Sequence, residues 1–260
     1  DPASLPQNSL LKLNSNLYTC CPELTFVQMA NVTSQLGLIV LGYELCGSYA
    51  HFSQLISGFY DRKPLTSTAN IGHYLDELHR MRGLLKARSA LQWVRDGSRS
   101  PMETVVSCML FLPGYMGGWG RATPALNHVV KLDKAASRIT RTKTAKVDLS
   151  WPELMIGIEY DSKTFHQNPD KDRKRREALT HMGWAIYVIN LDEIKSYPSL
   201  EAKVELFIDQ IPCGPHTQAA SKQERRQLLD RLLTATRFGL GLNNALFGLP
   251  VEPGTITTHL

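Results

Sequence analysis

Two short runs, "AKVDLSW" and "LMIGIEYD", constrain this 260-residue chain more than any other feature. In the second, Ile156, Ile158 and Tyr160 alternate as strand residues do, and Pro152–Glu153 between the runs reads as a tight turn. The two runs are therefore expected to form an antiparallel hairpin. Acidic groups end this otherwise apolar strand: Glu159 and Asp161, with His166 shortly after. If Pro152 and Glu153 form a two-residue loop, Asp148 lies opposite Gly157 and Glu159 becomes its diagonal neighbour on the same face. Diagonal neighbours stand about 7–8 Å apart, within reach of one ion. Lys146 then faces Glu159. A loop of three residues would turn Asp148 to the other face.

Two like charges at a buried edge are costly unless a cation lies between them. An all-oxygen site completed by water and phosphate suits Mg²⁺, with Mn²⁺ as substitute. Such an ion would polarise a phosphodiester and activate water. Charge distribution points the same way. The net charge is +5, but "KLDKAASRITRTKTAK" sets six basic residues against one acid, and "DKDRKRRE" sets five against three. A basic rim around an acidic centre suits a polyanion approaching a metal, and DNA is the expected partner. Arg141, Lys143, Lys163, Arg173 and Arg176 are the candidate nucleic-acid contacts.

Around the hairpin, "SPMETVVSCMLFL" reads as a helix with Ser100 as N-cap, Pro101 at N1 and Glu103 at N3. "PDKDRKRREALTHMG" reads as a helix ending at Gly183, and "WAIYVIN" as a buried strand. The order is helix, strand, strand, helix, strand, closed by a helix at "SLEAKVELFIDQI". Upstream, "CPELTFVQMANVTSQLGLIVLGYELCGSYAHF" and "NIGHYLDELHRMRGLLKARSALQWV" carry helical spacing, and "RDGSRSP" breaks it. Residues 1–99 are thus expected to form a mostly helical module with a protein partner as its candidate role. Residues 100–212 form the second unit. Residues 213–260 carry a basic amphipathic helix, "KQERRQLLDRLLTAT", and a frayed tail.

No apolar run approaches the ~20 residues of a membrane span, so no membrane partner is expected. The start, "DPASLPQNS", lacks the basic and apolar regions of a signal peptide and reads as a trimmed end. The five cysteines show no CxxC pair or framework spacing, so reduced thiols and a cytoplasmic setting are expected.

Taken in order, "SPMET", "VDLSWPE", "IEYDSKTFH" and "DRKRREALTHMGW" resemble the PD-(D/E)xK nuclease superfamily. The branch they are most similar to is the very-short-patch-repair endonuclease and its bacterial relatives. The resemblance covers roughly residues 100 to 190, and the first hundred residues also resemble those found ahead of this domain in some bacterial chains. It implies an α/β, restriction-endonuclease-like core of α-β-β-β-α-β type, with a central mixed sheet flanked by helices. The implied activity is metal-dependent DNA hydrolysis, in bacterial repair or defence. Asp148, Glu159 and the Tyr160 carbonyl become implied metal ligands, and Glu103 reaches the site through water or a second metal. His166 handles protons, and Arg173 and Arg176 grip phosphate.

The chain departs from the superfamily pattern where the usual lysine, two residues after Glu159, is Asp161; the usual glycine after "EYD" is Ser162. Either His166 or Lys146 does the lysine's work, or the domain is a catalytically silent nucleic-acid-binding or regulatory protein, such as a toxin–antitoxin or phage-defence component. Bland alternatives stand beside each residue. Glu103 can simply close a capping box on the Ser100 amide, Asp148 can pair with Lys146, and His166 can be a loop histidine.

Overall fold

A computed structural model describes residues 5–52, 58–161, 169–215 and 218–237. Strands β1 (Leu10–Lys12) and β2 (Tyr18–Cys20) form a hairpin, followed by helices α1 (Pro22–Met29) and α2 (Gln35–Leu45). A second hairpin, β3 (Tyr49–His51) with β4 (Phe59–Asp61), leads to α3 (Thr68–Glu77) and α4 (Leu84–Leu91). The helical spacing read across this region is therefore cut into shorter helices, with one hairpin ahead of α1 and another between α2 and α3. The cuts have local causes. Ser34 caps α2 by accepting from the Gly37 amide, Ser67 caps α3, and Gly83 enters α4 at a φ of 86°.

Helix α2 is apolar on every side and buried from Leu36 to Tyr43. Gly42 allows that depth: a Cβ there would stand 2.4 Å from Val94 Cγ2 and 3.1 Å from Phe26 Cε2.

Helix α5 (Pro101–Phe111) is also buried, except at the partly buried Met102, and it opens the second unit. Next come β5 (Ala125–Lys131), α6 (Lys134–Thr140), β6 (Thr144–Trp151), β7 (Ile156–Asp161), α7 (Pro169–His181) and β8 (Ala185–Asn190). Short α8 (Leu191–Lys195), α9 (Tyr197–Glu205) and α10 (Lys222–Arg237) follow. The strands lie in the order β5-β6-β7-β8, antiparallel except for the β7–β8 pair. This is a mixed central sheet flanked by helices. A parallel pair needs a crossover, and α7 supplies it. The sequence spacing had located β6, β7 and β8 but neither β5 nor α6, and β8 is half-buried over most of its length rather than buried.

One hydrophobic core runs through the molecule, from Leu24 and Phe26 of α1 through α2 and α5 to Leu228, Leu229 and Leu232 of α10. It crosses the expected boundary at residue 99. A smaller cluster, Val130, Ala145, Val147, Leu179 and Trp184, fills the space between the sheet and α7. Among the described residues, no helix is long and apolar enough to cross a membrane.

The link between β6 and β7 corrects the expected register. Trp151 pairs with Ile156 across four residues, a 3-10 turn at Pro152–Leu154 and then Met155 at a φ of 50°. Ser150, not Asp148, therefore lies opposite Gly157. Lys146 does not face Glu159; it pairs with Val129 of β5 and is exposed.

Candidate active site

The site forms where β6 leaves both of its neighbours. On one side, the β5–β6 ladder keeps a constant register from Leu126↔Leu149 to His128↔Val147, yet the rung between them is missing. That rung would join Asn127 to Asp148, and Asn127 has a φ of 48°. On the other side, the β6–β7 ladder ends at Leu149↔Ile158, one rung before Asp148 would face Glu159.

Side-chain alternation breaks at the same residue. Val147 packs over Gly157 with Leu179 and Trp184, while Leu149, paired with Ile158, belongs to the large core on the opposite face. Freed from both ladders, the Asp148 carboxylate turns toward β7 and accepts the Tyr160 N–H at 2.9 Å. The acid thus replaces the backbone partner that β6 withdraws.

Glu103 stands behind this pair on the first turn of α5 and is 6% exposed. Asn127 Nδ2 donates to its Oε2 at 2.7 Å, the Arg99 N–H donates to the same oxygen at 3.0 Å, and Ser100 Oγ donates to Oε1 at 3.1 Å. The cap is thus real but differs from the expected box: Glu103 takes the amide of Arg99, not that of Ser100. Burial, and then the charge of Asp148, push the Glu103 carboxyl up to about 8. Burial, and then the charge of Glu159, push Asp148 up to about 6 against the Tyr160 N–H, Arg175 and Arg99. The three acids are one electrostatic unit in which each charge opposes the next.

Glu159 ends the row and is 2% exposed. Arg175 Nε lies 3.1 Å from its Oε1 and Arg176 Nη1 lies 3.5 Å from its Oε2. Arg175 also reaches Asp172, at 3.4 Å.

Of the other candidates, Arg173 is exposed and paired along its own helix with Asp170 at 2.7 Å and Glu177 at 3.2 Å, so it stands away from the acids. Arg141 and Lys143 are exposed between α6 and β6. His166 and Lys163 lie outside the described residues. Trp151 and Trp184 are core, with the Trp151 indole donating to the Ala122 carbonyl.

Sequence reasoning missed Arg175 and Asn127. Arg175 had a signal. Ala178 and Leu179 are buried residues of α7, and Arg175 lies three and four positions before them, on the sheet-facing side. Asn127 had none, because a positive φ inside a strand leaves no mark on spacing.

Mg²⁺ is commonly held by one or two carboxylates together with water and phosphate. Asp148 and Glu159 offer the right donor atoms, and among the described residues Glu159 Oε2 accepts no hydrogen bond. Among the described residues, no three His, Cys, Asp or Glu side chains group closely enough to enclose an ion without such help.

No protein-family model and no solved structure matches the chain. Two proteins of Mycobacterium tuberculosis strains, named uncharacterized protein MT2308 and uncharacterized protein Rv2248, are each 31% identical to it over 68 residues. The match takes in 25% of this chain and 25% of each relative, so only a quarter of their length is spanned.

Proposed function

We propose that residues 100–212 form a restriction-endonuclease-like, metal-dependent phosphodiester hydrolase acting on DNA, in a cytoplasmic setting of bacterial repair or defence. The observation that carries this reading is the convergence of Asp148 and Glu159 at the point where β6 leaves both ladders, with Glu103 buried behind them. Mixed-sheet topology with α7 as crossover supports the fold expected from the resemblance.

Asp148, Glu159 and the Tyr160 carbonyl would hold Mg²⁺. When bound, the ion supplies polarisation of a phosphodiester oxygen and activation of water. The chain's own groups prepare the place. The Tyr160 N–H aims the Asp148 carboxylate, and Asn127 with the Arg99 amide fixes Glu103 at the back of the site. Arg175 and Arg176, rather than Arg173, stand where a phosphate would be gripped. Arginine suits that task because its planar fork is always charged. Such contacts position the backbone and read no bases. His166 remains the proposed proton handler.

A second reading has its own support. Glu159 is held by two arginines and Asp161 occupies the usual lysine position, as in a silent domain that keeps the fold. Nicking of supercoiled plasmid in Mg²⁺ or Mn²⁺ separates the two. Wild type is expected to cleave. Asp148→Asn, which keeps an acceptor for the Tyr160 N–H, should lose about 100-fold or more in rate with an unchanged or raised melting temperature. Equal cleavage by wild type and variant overturns the assignment. Salt-sensitive DNA binding without cleavage supports the silent reading.

A further inference from the structure

Under the reading above, Glu159 holds an ion, yet cations already face both of its oxygens. Arg175 Nε is 3.1 Å from Oε1 and Arg176 Nη1 is 3.5 Å from Oε2. The two contacts differ in kind. Arg175 donates a hydrogen bond, whereas Oε2 accepts none among the described residues and meets Arg176 as an ion pair. A guanidinium on each oxygen and a dication on the same carboxylate cannot share so small a space, because all three cations repel.

The arginines are built to leave. Each has a side chain 32% exposed, while Glu159 beneath them has a side chain 3% exposed, so the guanidinium groups stand between the acid and solvent. Arg175 also has Asp172 within 3.4 Å and keeps a carboxylate partner if it moves off Glu159. The nearby Arg173 shows the contrast: it is satisfied by Asp170 and Glu177 and plays no part at Glu159.

We propose that Arg175 and Arg176 form a latch on Glu159 that fills the cation's place until a phosphodiester draws the arginines away. The proposal rests on Asp148 and Glu159 being the metal pair. Its consequence is thermodynamic: if a phosphodiester oxyanion takes the arginines, Glu159 is freed, so DNA and metal strengthen each other's binding by the same factor. Metal alone binds weakly, which keeps the site closed without substrate.

The test is Mn²⁺ binding, followed by the electron-paramagnetic-resonance signal of the free ion. It uses wild type, Arg175→Gln, the Arg175→Gln, Arg176→Gln double variant and Arg173→Gln, each checked by its melting curve, with and without a short DNA duplex. Without DNA, Arg175→Gln is expected to bind Mn²⁺ about tenfold more tightly than wild type. Arg173→Gln makes the same charge change on the same helix and should stay within about twofold. The duplex should tighten Mn²⁺ binding to wild type about tenfold and add little to the Arg175→Gln, Arg176→Gln double variant. Equal affinities for the Arg175→Gln and Arg173→Gln variants overturn the latch and leave the metal pair standing. If Arg175→Gln fails to fold, the wild-type comparison with and without duplex decides alone. Absence of Mn²⁺ binding to every variant, with or without duplex, removes the metal pair and the latch with it.

Discussion

Glu103 shows how one residue can both cap a helix and stand in a row of buried acids. It caps the start of α5 through Ser100 and the Arg99 amide, and it also lies at the back of the acidic row. The capping role would be met by a glutamine; the charge is a cost. Its folded pKa of about 8 stands above the ordinary value of 4.5, and that of Asp148, about 6, stands above 3.8. With both values raised, the folded state binds more protons than the unfolded state across this window, so stability falls as pH rises. In EDTA, the contribution of these acids should be fully present below about pH 4 and lost as pH climbs through about 8. Glu103→Gln removes part of that slope. It should stabilise the protein by about 1–3 kcal/mol at pH 8 and change little near pH 4.5. Urea midpoints at the two pH values check this, and an unaltered slope would show that Glu103 is not the titrating group.

Among the elements, the β6–β7 pair decides the geometry, and Gly157 is its tightest point. A Cβ there would lie 2.6 Å from Val147 Cγ1 and 2.7 Å from Ile186 Cδ1. Gly157→Ala should therefore overpack the small cluster under α7 and cost about 1–3 kcal/mol. Pairing it with Val147→Ala removes one of the two clashing groups, so the double variant should be less destabilised than the sum of the single changes. Simple additivity in thermal melts would show that the clash is absorbed elsewhere.

The same pair marks what was legible beforehand. Ile156 and Ile158 announced β7, Ser100 and Pro101 announced α5, and counting back from the turn made the acids at 148 and 159 diagonal neighbours, whereas the observed register, continued by one rung, would set them face to face. Their register was off by two because Pro-Glu does not specify a 3-10 turn continued by a left-handed Met155. Strand β5 escaped notice because "ALNHVVK" places Asn127 and His128 mid-strand, and Asn127 is where the strand kinks to reach Glu103. Such polar breaks hide a strand from spacing while making the site.

At the scale of the whole molecule, the N-terminal part braces the helix that carries Glu103. Tyr43 of α2 hydrogen-bonds Ser107 at 2.8 Å, and Tyr49 of β3 hydrogen-bonds Thr104 at 3.0 Å, all four residues being buried. Thr104 in turn meets Ser98 at 2.9 Å, one turn from the residues that cap α5. Helix α10 packs on α2 and α5 together and ties the C-terminal end to both. Elements that share one core and buried hydroxyl pairs gain or lose their contacts together. Calorimetry should therefore show a single unfolding transition rather than one for residues before 99 and another after. Tyr43→Phe leaves the Ser107 hydroxyl buried without its partner, at a cost of about 1–3 kcal/mol. Because the core is continuous, that loss should lower the one transition as a whole. Two resolved transitions, with only the earlier one moved by Tyr43→Phe, would instead mean that the N-terminal elements fold independently and do not brace α5.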